Sequence, residues 1–117
     1  MKLKLLAFQG LSALLVLGFF VRAQAADLYV SPTGTVAGPG TLAQPYNLTT
    51  AISGRVGTAG DTFWLRGGIH KIGHISTTIH GAAGKPITFR QMPGGKARVD
   101  GSFTVWNSIG YVIFRDF

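Results

Sequence analysis

The chain has 117 residues, with eleven Lys and Arg against four acidic residues and no Cys. That length holds at most one modest domain. The missing cysteines remove disulfide staples, thiolate zinc sites and cysteine nucleophiles from consideration.

The first 25 residues have the features of an export leader. Lys2 and Lys4 give a positive start, and an apolar run extends from Leu5 to Val21, broken only by Gln9, Gly10, Ser12 and Gly18. Ala23-Gln24-Ala25 then supplies the small-x-small pattern of a signal-peptidase site, with cleavage expected after Ala25. An uncleaved anchor is the competing reading, although the run is short for a span of ~20 residues. Cleavage leaves residues 26–117 with a charge of +4, from eight Lys and Arg against four Asp. A modest positive balance favours acidic partners such as uronate polysaccharides. Without an aromatic–basic stripe it does not suit nucleic acid. The expected setting is secreted or periplasmic, free of the membrane after processing and monomeric at full length. An exported protein without disulfides fits a bacterial envelope or secreted protein best.

Asp27-Leu28-Tyr29-Val30 is expected as a short strand, and Ser31-Pro32-Thr33-Gly34 as a turn. The loop from Thr35 to Pro45, with Gly38-Pro39-Gly40, offers little that packs. Asn47 is a predicted N-cap for a short helix over 48–56, whose apolar face is Leu48, Ala51 and Ile52 and whose end is Gly57. Asn47-Leu48-Thr49 also forms a glycosylation sequon, but the cap suits a bacterial protein better. Residues 26–60 are thereby predicted as an N-terminal cap, a strand and short helix that close the first rung of a repeating segment.

From residue 61 the chain repeats. Thr62-Phe63-Trp64-Leu65-Arg66, Pro86-Ile87-Thr88-Phe89-Arg90 and Tyr111-Val112-Ile113-Phe114-Arg115 are β-rich pentapeptides ending in arginine, spaced 24 and 25 residues apart. Such a period marks a stacked repeat. Direct superposition predicts inward columns Phe63–Ile87–Val112 and Leu65–Phe89–Phe114, and outward positions for 62, 64 and 66. It also aligns Ile75 with Val99 and Ile79 with Phe103, between glycine-rich turns. Short strands in a 24-residue coil describe a β-solenoid whose rungs stack in parallel at ~4.8 Å. An ordinary β-sandwich with accidental spacing is the alternative. The sequence stops at Arg115-Asp116-Phe117, inside the third period and with no visible C-terminal cap, so the expectation is the front of a longer protein.

Several stretches resemble the start of secreted right-handed parallel β-helix proteins. They are Tyr29-Val30-Ser31-Pro32-Thr33-Gly34, Pro39-Gly40-Thr41-Leu42-Ala43-Gln44-Pro45-Tyr46, Gly60-Asp61-Thr62-Phe63-Trp64-Leu65-Arg66-Gly67-Gly68-Ile69-His70 and Gly84-Lys85-Pro86-Ile87-Thr88-Phe89-Arg90. Pro93-Gly94 and Val99-Asp100-Gly101-Ser102 continue the likeness. The family is the pectate-lyase-like superfamily. The resemblance covers nearly all of 28–117 and implies an all-β, right-handed parallel β-helix, of which this chain holds the first two to three coils behind a capping strand and helix. It also implies β-elimination on a uronic-acid polymer: a cation, often calcium held by aspartates, neutralises the sugar carboxylate, and a Lys or Arg removes the neighbouring proton. Those groups sit on middle rungs in the family, so no catalytic residue and no metal ligand is carried over to this chain. Calcium belongs, on this reading, to a full-length parent. A non-catalytic adhesion or surface β-helix, or a truncated product without function, are the alternatives.

The sharpest chemical feature is the arginine column. Arg66, Arg90 and Arg115 are expected along one outer edge, as a strip for glycan carboxylates or sulfates, with Trp64 placed to stack on a sugar ring. The competing reading is a solvated strand end, partly neutralised by Asp61 and Asp116. His70, His74 and His80 have no carboxylate or third ligand beside them in sequence and suggest no metal site. Trp106 is a second outward-facing aromatic candidate.

Overall fold

The computed structural model describes residues 25–106 and 110–117; the leader expected over 1–25 lies, but for Ala25, outside the described residues. The elements are β1 (Asp27–Thr35), α1 (Leu48–Ile52), β2 (Thr62–Leu65), β3 (Gly68–Thr77), β4 (Ile87–Gln91), β5 (Ala97–Val105) and β6 (Val112–Arg115). One sheet runs β1-β2-β4-β6 and the other pairs β3 with β5. Each strand pairing is parallel. From β2 onward, strands that pair in parallel are separated by turns and a strand of the other sheet, so the chain winds as a solenoid. A sandwich of antiparallel hairpins is excluded.

The alternation of the strands falls as expected. Phe63, Leu65, Ile87 and Phe89 are buried, while Thr62, Trp64, Thr88 and Arg90 face outward and are partly exposed. With Val30, Ile72, Ile79, Ala97 and the α1 residues Leu48, Ala51 and Ile52 they form the core.

The register between β2 and β4 corrects the predicted columns. Phe63 lies opposite Phe89, not Ile87, and Leu65 lies opposite Gln91, not Phe89. Only the next step matches the expectation, with Ile87 opposite Val112 and Phe89 opposite Phe114. The physical reason is aromatic stacking. The rings of Phe63 and Phe89 sit 4.8 Å apart at 10°, and those of Phe89 and Phe114 5.0 Å apart at 13°. Those spacings match the ~4.8 Å between strands, so a phenylalanine ladder runs through the lumen without bending the sheet. The slip from the predicted register is two residues, which keeps every side chain on its own face.

The second sheet departs further. Val99 lies opposite His70, not Ile75, and Phe103 lies opposite Ile75, not Ile79. Unequal turns cause this. Two residues join β2 to β3 but five join β4 to β5, and nine join β3 to β4 but six join β5 to β6. The register also shifts once between Lys71 and Gly73, where a bulge turns the corner. Gly101 pairs with Gly73 there at φ 132°, and a Cβ on it would stand 2.3 Å from the Gly73 carbonyl oxygen.

Two local expectations are also corrected. β1 continues through Ser31-Pro32-Thr33-Gly34 as strand; β1 ends the sheet order, where proline is tolerated. The helix stops at Ile52 because Gly54 takes φ 81°, so Arg55 lies outside it. Its start is as predicted, the Asn47 side chain accepting the Thr50 N–H at 2.8 Å. The Thr77 hydroxyl donates to the Ile52 carbonyl at 2.5 Å, tying α1 to β3.

The ladder makes a measurable claim. Phe89→Ala leaves a void between two stacked rings and should cost about 3–5 kcal/mol. In urea unfolding monitored by circular dichroism, Phe89→Leu should keep a cooperative transition and Phe89→Ala should lower its midpoint sharply; equal midpoints would contradict the ladder.

Candidate functional site

The register that stacks the phenylalanines also sets the outer face of the first sheet. Tyr29 pairs with Trp64, Trp64 with Arg90, and Arg90 with Arg115. The outward column is therefore two aromatics and then two guanidinium groups, not three arginines. The Arg90 guanidinium carbon lies 4.7 Å from the centre of the Trp64 ring. One face of that ring is covered by the cation, which narrows the room for a sugar to stack there. The Trp64 indole N–H donates to Asp27 at 3.0 Å, fixing the ring's orientation.

Below Trp64 two like charges meet on neighbouring rungs, an arrangement that repels. Asp116 resolves it. Its carboxylate lies 2.9 Å from Arg90 Nη2 and 3.3 Å from Arg115 Nε. Asp116 reaches this position at φ 69°, an uncommon backbone conformation for a residue with a Cβ. The pair is open to water: the side chains of Arg90, Arg115 and Asp116 are 33%, 55% and 39% exposed. Arg90 Nε is buried without a partner. Asp61, expected to share in the neutralisation, does not; it is buried and hydrogen-bonded to Thr58 and Ala26.

Arg66 is separated from the column by the register. Its N–H donates to the Val30 carbonyl at 2.9 Å, and its guanidinium donates to the Leu42 carbonyl. It borders a pocket of about 550 Å³ formed by the 33–45 segment, including Thr33, Thr35 and Gln44. The loop that offered little packing in sequence thus folds back on β1, with Tyr29 N–H donating to Gly40 O at 2.8 Å. Trp106 is exposed and joins none of these groups.

The histidines are each engaged locally. His70 is buried and its Nε2–H donates to the Arg66 carbonyl at 2.8 Å; His74 Nδ1 meets the Ser102 hydroxyl at 2.8 Å; His80 Nδ1–H donates to the Thr78 carbonyl at 2.9 Å. Among the described residues no three His, Cys, Asp or Glu side chains come together to hold a metal. Calcium takes six to eight oxygen ligands. Here Asp27 accepts from Trp64, Asp61 is hydrogen-bonded by neutral donors, Asp116 is paired with two arginines and Asp100 lies exposed in β5, so the described carboxylates are not gathered for that ion.

The fold and this face define a parallel β-helix, and comparison with known proteins narrows the class. No family model matches the chain. It is 33% identical over 93 residues, 79% of its length, to a protein named pectate lyase PEL9 from Emericella nidulans, of which it spans 22%. It also superimposes on a solved rhamnogalacturonan lyase with a TM-score of 0.57 at 21% identity, covering 80% of this chain and 28% of that one. The chain is a parallel β-helix similar to these lyases, and it spans about a fifth of the curated relative and about a quarter of the solved one.

The cation over Trp64 can be tested directly. In a Trp106→Phe background, Arg90→Ala should increase acrylamide quenching of the remaining tryptophan. It should cost only about 0.5–1 kcal/mol of stability, as befits an exposed contact. Unchanged quenching would show that Arg90 does not cover the ring.

Proposed function

We propose that this chain is the N-terminal part of an exported parallel β-helix protein that binds an acidic polysaccharide and, at full length, cleaves it by β-elimination. In that assignment residues 1–25 are a leader cleaved after Ala25, 26–60 cap the solenoid and 61–117 are its first coils. The relative named as a pectate lyase supports an acidic polymer as substrate class and elimination as the reaction. Its far greater length supports catalysis by coils beyond these. None of the described residues is assigned a catalytic role.

The observation that carries the binding reading is the pair Arg90–Arg115 on the outer face. Two guanidinium groups one rung apart, half open to water, present parallel donors suited to a carboxylate. Asp116 occupies that place now, so an incoming uronate exchanges one carboxylate for another at little electrostatic cost. Trp64 holds Arg90 in place and leaves its own exposed edge to the sugar. Arg66 stands apart from this pair and is given no part in it.

Affinity electrophoresis through gels containing polygalacturonate tests the reading. The exported chain should be retarded, Arg90→Ala or Arg115→Ala should lose most of the retardation, and Arg66→Ala should keep it. Asp116→Asn should be retarded more than the parent, because the competing carboxylate is gone. Equal mobility of the parent and all four variants, or equal retardation by a neutral glucan, would rule out a carboxylate-reading face.

A further inference from the structure

Among the described aspartates only Asp61 is buried, at 4% exposure. One of its oxygens accepts the Thr58 N–H at 2.7 Å and the Thr58 hydroxyl at 3.4 Å. The other accepts the Ala26 N–H at 2.8 Å. All three donors are neutral, and among the described residues no Lys or Arg forms an ion pair with this carboxylate. A buried carboxylate without a positive partner carries a desolvation cost that neutral donors offset only in part. Lys85 flanks the recess formed by Ala25, Ala59 and Gly60 but does not pair with Asp61.

The nitrogen that meets Asp61 is the first atom after the expected cleavage site. Ala25 and Ala26 are exposed, while the Ala26 carbonyl accepts the Thr62 N–H at 3.0 Å and so holds the segment beside β2. We infer that cleavage after Ala25 converts the Ala26 amide nitrogen into an α-ammonium paired with Asp61, so that removal of the leader completes the fold. The inference rests on the leader assignment made under Proposed function and is independent of the polysaccharide. In the cleavage a signal peptidase adds water across the Ala25–Ala26 peptide bond. The carboxylate leaves on Ala25 with the leader, the amine stays on Ala26, and it takes up a proton from solution at neutral pH. The neutral donor 2.8 Å from Asp61 becomes a charged one, and charge-assisted hydrogen bonds are roughly twice as strong as neutral ones. Asp61 then serves as the receptor for the new chain end.

The test uses the full 117-residue chain, exported by a bacterial host. Mass spectrometry of the exported product should place its first residue at Ala26. Selective acetylation of the α-amine should raise its unfolding equilibrium constant in urea about tenfold. The same acetylation should have no effect in Asp61→Asn. Because Asp61→Asn also weakens the Thr58 turn and can fail to fold, a second measurement uses the unmodified protein. At neutral pH the α-amine of the folded chain should acylate at least about tenfold more slowly than in urea, although Ala26 is exposed, because the ion pair keeps it protonated. A product that starts elsewhere overturns the inference together with the leader assignment. A product that starts at Ala26 but is indifferent to acetylation, or acylates equally fast folded and unfolded, overturns the ion pair alone.

Discussion

The Phe63–Phe89–Phe114 stack is the contact on which the other positions depend. Each ring lies about one strand spacing from the next and nearly parallel to it, so the aromatic ladder and the backbone ladder share one repeat. A leucine over a phenylalanine buries similar area, and the first two pentapeptides permit it at a 24-residue offset. The stack instead sets an offset of 26 between β2 and β4 and 25 between β4 and β6. The added geometric preference of paired aromatics, about 0.5–1.5 kcal/mol beyond burial, acts twice along this column.

The outer face is a consequence of that inner choice. Fixing Phe63 over Phe89 forces Trp64 over Arg90, since adjacent residues of a strand point to opposite sides. The same register moves Arg66 past the end of the paired segment, where it turns to the Leu42 carbonyl and the pocket of the 33–45 loop. The two remaining arginines need an anion, and Asp116 supplies it from a backbone conformation that favours glycine. A polar surface feature is in this way set by packing in the lumen.

Much of this architecture was legible in the sequence, and the part that was not has a definite cause. Alternation within Thr62–Leu65 and Ile87–Gln91 and the Asn47 cap are local signals, parallel stacking follows from the repeat period, and each is found in the structure. Register is not local. A two-residue slip leaves every apolar residue facing inward, so hydrophobic patterning cannot separate offsets of 24 and 26. Evenly spaced arginines suggested one answer; turns of two, five, six and nine residues gave another. For the candidate site, Arg90, Arg115 and Trp64 were legible as outward residues, but their grouping without Arg66 required the register. Asp116 was legible as a neutralising neighbour of the arginines, but its backbone φ of 69° was not, and Asp61, expected beside it, is buried elsewhere.

Buried polar residues escape hydrophobic patterning for a related reason. Asp61, His70 and Thr77 are buried within a few residues of strand ends, close to turns and the helix end, whose backbone groups the ladders do not take up. Groups there lack ladder partners, and each of these side chains meets one: Asp61 the N–H groups of Thr58 and Ala26, His70 the carbonyl of Arg66, Thr77 the carbonyl of Ile52. Apolar residues in place of His70 and Thr77 would leave the Arg66 and Ile52 carbonyls without these donors, at about 1–3 kcal/mol apiece where water does not reach them. The unequal turns of this solenoid are in this way met by buried polar side chains near the strand ends. Asp61 differs from the other two in carrying a carboxylate, and it is the one whose partner, Ala26, follows the proposed cleavage site.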